Sequence, residues 1–192
     1  ASLTRAISDG TGATQLMWAI FSEDGELLVK KSVINDADAL ISEQGYTLST
    51  KLTKGQTYKA TFLAQNQNCT AYAVSDDMKV TVDYNGINND ESRDAFYATS
   101  DVFSVNSASI VTVTLKRPFA QVNVGANKWD VEYAKEAGME VKTSSATFKA
   151  VPNCINLFDG SLEGAVDVVY TASAKPEEYL TVDVDRNGED EV

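Results

Sequence analysis

TYKATFLAQ, residues 57–65, alternates along its length: Tyr58, Ala60, Phe62 and Ala64 fall on one side of an extended chain. A β-strand turns successive side chains to opposite faces, so this spacing predicts an antiparallel strand with one apolar face buried. The preceding Lys54-Gly55 pair is a turn signal of the kind that ends one strand and starts the next.

The same reading extends outward in both directions. QLMWAIFS (15–22), ELLVKKSV (26–33) and YTLSTKL (46–52) read as strands, with turn signals at Asp24-Gly25 and Gly45. Downstream, TAYAV (70–74), MKVTVDY (78–84), SIVTVTLK (109–116), AQVNVG (120–125), MEVKTSSATFKAV (139–151), VDVVYTA (166–172) and YLTVDVD (179–185) continue the series. Many short strands with little helix predict an all-β fold, an antiparallel β-sandwich or barrel. One helix is expected over NKWDVEYAKEAG (127–138), capped by Asn127 and closed by Gly138, with Trp129 stacking on Tyr133 one turn later. NDADALIS (35–42) reads as a shorter helical turn.

A chain of 192 residues suits one domain or a domain plus part of another. We read residues 1–14 as a flexible N-terminal segment, 15–172 as the β-sandwich, and 173–192 as a strand and turn beginning a second unit. With 43% hydrophobic and 23% charged residues the composition is that of a folded globular chain. The net charge of −12 argues against nucleic acid and anionic lipid, both of which need clustered Lys and Arg. No apolar run approaches the ~18 residues of a membrane-spanning helix.

Histidine is absent, which removes Ser-His-Asp triads, Cys-His dyads and imidazole metal sites. Carboxylate pairs stay open in principle, yet the acids cluster at turns, where solvated charge is expected. We therefore expect no enzymatic activity, no catalytic residue and no cofactor. The closest approach to a metal motif is DVDRNG, where Asp183, Asp185, Asn187 and Gly188 match the first oxygen-donor positions of a calcium loop. It follows a strand where such a loop would follow a helix, and its twelfth position would fall past Val192, so a hairpin turn is the preferred reading.

Cys69 and Cys154 stand 85 positions apart. A bridge between them would be worth roughly 4–5 kcal/mol in the chain-entropy model if the compartment is oxidising; the alternative is two buried thiols packing as small apolar residues. Asn68-Cys69-Thr70 fits the N-glycosylation triplet, a pattern common by chance. Trp18, Trp129 and the tyrosines would serve a sugar-binding platform if exposed, but tryptophans in such strands and helices are more often core.

Three segments resemble the N-terminal domain of the fimbrillins, subunits of the type V pili of Bacteroides-group bacteria: TLKRPFAQVNV (114–124) at the end of a strand, the helix after it, and VPNCINLFDGSLEG (151–164). The resemblance covers about residues 6–164. It implies a transthyretin-like sandwich and a structural, adhesive cell-surface subunit that begins as an outer-membrane lipoprotein, the signal not being among these residues. It also implies that an Arg- or Lys-specific protease cuts before the first core strand, here between Arg5 and Ala6 in LTRAISDG. Removing the N-terminal strand would open a groove for a strand from a neighbouring subunit, giving a homo- or hetero-polymer that meets host or bacterial surface receptors. Two departures stand out: Ala1 to Thr4 are too short to be the whole blocking strand, and the family's C-terminal donor segment is not among these residues. The alternative function is a surface carbohydrate-binding β-sandwich of a glycan-utilisation system.

Overall fold

A computed structural model describes residues 12–40, 45–85, 91–108, 110–118, 128–139 and 144–172. In chain order the elements are β1 (Gln15–Ser22), β2 (Leu27–Ile34), α1 (Ala37–Leu40), β3 (Thr57–Gln65), β4 (Tyr72–Val74), β5 (Lys79–Val82), a 3-10 turn (Glu91–Arg93), β6 (Ala95–Thr99) and β7 (Phe103–Ser104). There follow α2 (Lys128–Glu136), β8 (Ser144–Val151), β9 (Cys154–Asn156), β10 (Leu162–Glu163) and β11 (Val166–Ala172). The chain divides into two compact units, one formed by Ser8–Ala120 with Ala150–Val166 and the other by Ala1–Ile7, Gln121–Lys149 and Asp167–Val192. Residues 1–11 and 173–192, where the sequence placed the flexible segment and the second unit, lie outside the described residues.

The first of these units is an antiparallel sandwich, as the strand pattern predicts. One sheet runs β2-β1-β3-β6, with β7 also pairing β3; the other runs β10-β9-β5-β4. The register between β1 and β3 is unbroken from Gln15↔Gln65 to Ser22↔Tyr58. Between β1 and β2 it shifts at Trp18/Ile20 and again at Ile20/Phe21. Such bulges increase local twist and bend a strand toward what it must cover. Gly25 closes the β1–β2 turn at φ +89°, and a Cβ there would stand 3.0 Å from the Phe158 ring, so both the conformation and the space require glycine.

β3 is buried on both faces, not one. Leu63 joins Met17, Ala19 and Phe21 against Val80 and Val82 of the opposing sheet and Met78 and Leu157 of the turns beside it, forming the core between the layers. The other face of the same strands carries Trp18, Ile20, Tyr58 and Ala60, covered by Leu48, Leu52, Phe103 and Val105. β1 is therefore buried along its whole middle. Fully burying one such side chain stabilises by roughly 1.5–3 kcal/mol. Thr61, wholly buried, is satisfied within the core: its hydroxyl lies 3.0 Å from that of its cross-strand partner Thr99, which in turn donates to Leu157 O at 2.5 Å. That chain of hydroxyls ties one sheet to the other without leaving a buried polar group alone.

Two expected strands are not strands. Residues 46–52 lie across the outer face of the first sheet, anchored by Leu48 and Leu52, with no ladder of their own. Residues 110–116 make a single bridge, Tyr97↔Lys116. Four strands the sequence did not announce, β6, β7, β9 and β10, are two to five residues long. Residues 120–125 and 179–185 lie outside the described residues.

The second unit contains α2 and the β8–β11 pair. α2 ends as expected: Gly138 has φ +77°, its N–H donates to Lys135 O at 3.0 Å, and the Met139 N–H donates to Ala134 O at 2.8 Å. This pairing of bonds is the Schellman motif that satisfies the last carbonyls of a helix. Tyr133 on this helix is 65% exposed, and the side chain of Trp129, expected on the inner face, lies outside the described residues. In the β8–β11 pair Phe148 and Tyr170 pack edge-on at 6.2 Å, and Lys149 Nζ lies 2.6 Å from the Asp167 carboxylate.

Candidate functional site

Among the residues singled out in the sequence, Arg5, Ala6, Asp183, Asp185 and Asn187 lie outside the described residues. Cys69 and Cys154 are half-buried free thiols. Cys154 sits on β9 opposite Thr81 of β5, while Cys69 stands in the connection that leads into β4, and β4 and β9 flank β5 on opposite sides. Asn68 of the glycosylation triplet is exposed. Among the described residues no cluster of three or more His, Cys, Asp or Glu side chains is placed to hold a metal ion.

The aromatic residues are mostly structural. Trp18 is 9% exposed in the core, as its strand position suggested. Phe21 packs on Phe158 at 4.9 Å and Tyr58 on Phe103 at 6.0 Å, both within the sandwich. Tyr46 and Tyr133 are the exposed tyrosines of the described residues, and neither has a ring partner there.

What the sandwich does offer is an apolar slot opening between its layers, lined by Leu63, Tyr72, Val80, Ala95, Pro118, Ile155 and Leu157. Its floor is the interlayer core, because β3, β5 and β9 contribute their inward residues to it. Tyr72 forms one wall, and its hydroxyl donates to Arg93 O at 2.5 Å. Burial holds this phenol protonated well above its ordinary value of 10.0, and the nearby Cys69 adds to the shift. Arg93 in turn donates to Asn85 O at 3.2 Å and to Asp83 O, bracing the loop beyond β5.

Residues 116–118 pass over the rim. Lys116 exchanges both backbone bonds with Tyr97, at 2.9 and 2.8 Å. Arg117 Nε lies 2.9 Å from Asp94 Oδ1 and Nη2 lies 2.8 Å from Oδ2, a bidentate fork that raises the guanidinium's pKa. The same guanidinium stands 4.7 Å over the Phe96 ring. Pro118, whose missing N–H suits the end of an edge contact, reaches the slot itself. The sequence pointed to LKRPF but gave no sign of Asp94, Phe96 or Tyr72, which are brought to it by β6 and β4 across long stretches of chain.

The slot is shallow, with room for about one water molecule, and its lining is apolar because the Tyr72 hydroxyl is engaged. Among the described residues the other shifted group is Asp159, which is exposed and held below its usual pKa by the Ser161 hydroxyl and N–H that cap its turn.

The fold is similar to that of a crystal structure from Bacteroides thetaiotaomicron VPI-5482 described as a "putative adhesin", with a TM-score of 0.53 and 13% sequence identity. The match covers 87% of this chain and 57% of that one, so the chain spans little more than half the neighbour's length. No curated protein matches the sequence. Residues 2–187, nearly the whole chain, match the family of unknown function DUF6562, and the chain therefore belongs to that family.

Proposed function

We propose that this chain is a structural, adhesive subunit of the bacterial cell surface, fimbrillin-like in its assembly and without enzymatic activity. Its partners are further pilus subunits and the surfaces they meet. It arrives as an outer-membrane lipoprotein, an Arg- or Lys-specific protease cuts between Arg5 and Ala6, and the cut allows a neighbour's strand to add to the sandwich. One observation carries this reading: an apolar slot between two antiparallel layers is bordered by a segment, 110–118, that makes a single β-bridge among the described residues. An open strand edge beside an apolar groove favours an added strand, which supplies ladder bonds and side chains together. The fold likeness to the Bacteroides structure supports it at the level of architecture. Nothing in the described aromatic residues favours the glycan-binding alternative, since Trp18 is core and the exposed tyrosines stand alone.

The test is trypsin-like treatment of the precursor, followed by electrophoresis without boiling. Wild type is expected to form SDS-resistant ladders and Arg5→Ala to remain monomeric. Identical behaviour of the two rejects the reading.

A further inference from the structure

Residues 110–116 read Ile-Val-Thr-Val-Thr-Leu-Lys, a strand sequence by composition. Lys116 pairs with Tyr97, and among the described residues no further bridge continues that ladder. Residues 110–115 make no hydrogen bond within the described residues. Over 112–115 they nonetheless keep a strand's alternation: Val113 and Leu115 are half-buried and Thr112 and Thr114 exposed, while Val111 and Ile110 before them are both exposed, at 42% and 92%.

Proteins usually guard such an edge with charge, proline or a bulge. Here residues 102–115 carry no charge at all, in a chain whose net charge is −12. A second copy carries the same uncharged run, so two copies can meet along it without setting like charges against each other, provided the segment is complementary to itself.

Its register supplies that complementarity. Along a strand alternate residues turn their N–H and C=O to the same side. Lys116 turns its pair toward β6, so Leu115, Val113 and Val111 turn theirs away from it. We propose that residues 111–115 pair antiparallel with the same residues of a second copy, about a two-fold axis at Val113. Val113 then faces its own counterpart, Val111 faces Leu115, and Thr112 faces Thr114. This contact is isologous and closes as a dimer, whereas strand exchange is heterologous and grows a polymer. It needs no cleavage at Arg5, so either proposal stands if the other fails.

The uncut chain, with Cys69 and Cys154 replaced by Ala, tests the register. Under mild oxidation Val113→Cys is expected to form a disulfide dimer. Thr112→Cys alone is expected to form almost none, because its own counterpart lies beyond disulfide reach, and Thr112→Cys/Thr114→Cys is expected to recover the dimer. In sedimentation over a concentration series the wild type is expected to dimerise. Thr112→Lys/Thr114→Lys is expected to lose the dimer, even though the added lysines reduce the net negative charge; both positions are exposed, so folding is unaffected. A wild type that stays monomeric, a Thr112→Cys that links as well as Val113→Cys, or a dimer that survives the two lysines would each overturn the proposal.

Discussion

Met78 occupies a backbone region that L-residues avoid, at φ +60°, and its side chain is completely buried. It sits in the turn between β4 and β5, where its N–H donates to Ser75 O at 3.1 Å and its carbonyl accepts from Leu157 at 3.2 Å. The left-handed conformation costs about 1–2 kcal/mol for a residue with a Cβ, and the buried thioether side chain offsets it with roughly 1.5–3 kcal/mol. Met78→Ala keeps the backbone cost and opens a cavity, so urea denaturation is expected to show a loss of about 2–5 kcal/mol. Met78→Gly opens a slightly larger cavity but removes the cost, and is expected to be the less damaging of the two by about 1 kcal/mol, the reverse of the usual order at other positions. Tyr72 gives a pH signature instead. Its folded-state pKa is raised above 10.0 by burial, so the stability it lends is complete below that pH. Above it the unfolded chain releases the phenolic proton while the folded chain holds it, and stability drains away as pH rises. Tyr72→Phe is expected to be about 1 kcal/mol less stable at neutral pH, for the lost bond to Arg93, yet to lose less between pH ~9 and ~11. Parallel slopes for the two proteins in pH-dependent melting would contradict the burial argument.

At the scale of elements, the segment 45–56 behaves as a strap. It covers Trp18 and Tyr58 with Leu48 and Leu52, and its fastenings are few: Tyr58 OH to Thr53 O at 2.9 Å, Gly55 N–H to Val105 O at 2.7 Å, and Val105 N–H to Gln56 O at 3.2 Å. Leu48→Ser/Leu52→Ser is expected to release it locally. Acrylamide quenching of Trp18, read in a Trp129→Phe background, should rise markedly while cooperative unfolding of the sheets persists. Unchanged quenching would mean that the backbone contacts suffice to hold the strap. The same segment shows why the fold was only partly legible. QLMWAIFS, TYKATFLAQ and VDVVYTA are strands residue for residue, because each combines β-forming side chains with a neighbour in the ladder. YTLSTKL and IVTVTLK have the same local pattern without the neighbour, and pairing is a tertiary event that a local pattern does not encode. β9 and β10 were missed for the converse reason, since strands of three and two residues show no periodicity. The burial of β3 on both faces was hidden because Thr61 and Gln65 read as solvent-facing, whereas Thr61 finds Thr99 and Gln65 finds Gln15 at 3.1 Å. The rim of the slot was legible only as far as Arg117 and Pro118.

For the molecule as a whole, charge and neutral edge oppose each other. A net charge of −12 on 192 residues pushes copies apart, while residues 102–115 offer an uncharged surface on which they can meet. Salt separates these contributions. Raising ionic strength from ~0.01 to ~1 M shortens the Debye length from about 30 to 3 Å and removes most long-range repulsion, whereas backbone hydrogen bonds and apolar contacts at the edge are little screened. Dimerisation of the uncut chain is therefore expected to strengthen with added sodium chloride, measured as the shift in sedimentation coefficient at fixed protein concentration. Thr112→Lys/Thr114→Lys is expected to stay monomeric over the same range, since lysines placed face to face in the ladder obstruct pairing even when screened. Association that weakened with salt would place ion pairs at the contact, and the neutral segment could then not be what joins the copies.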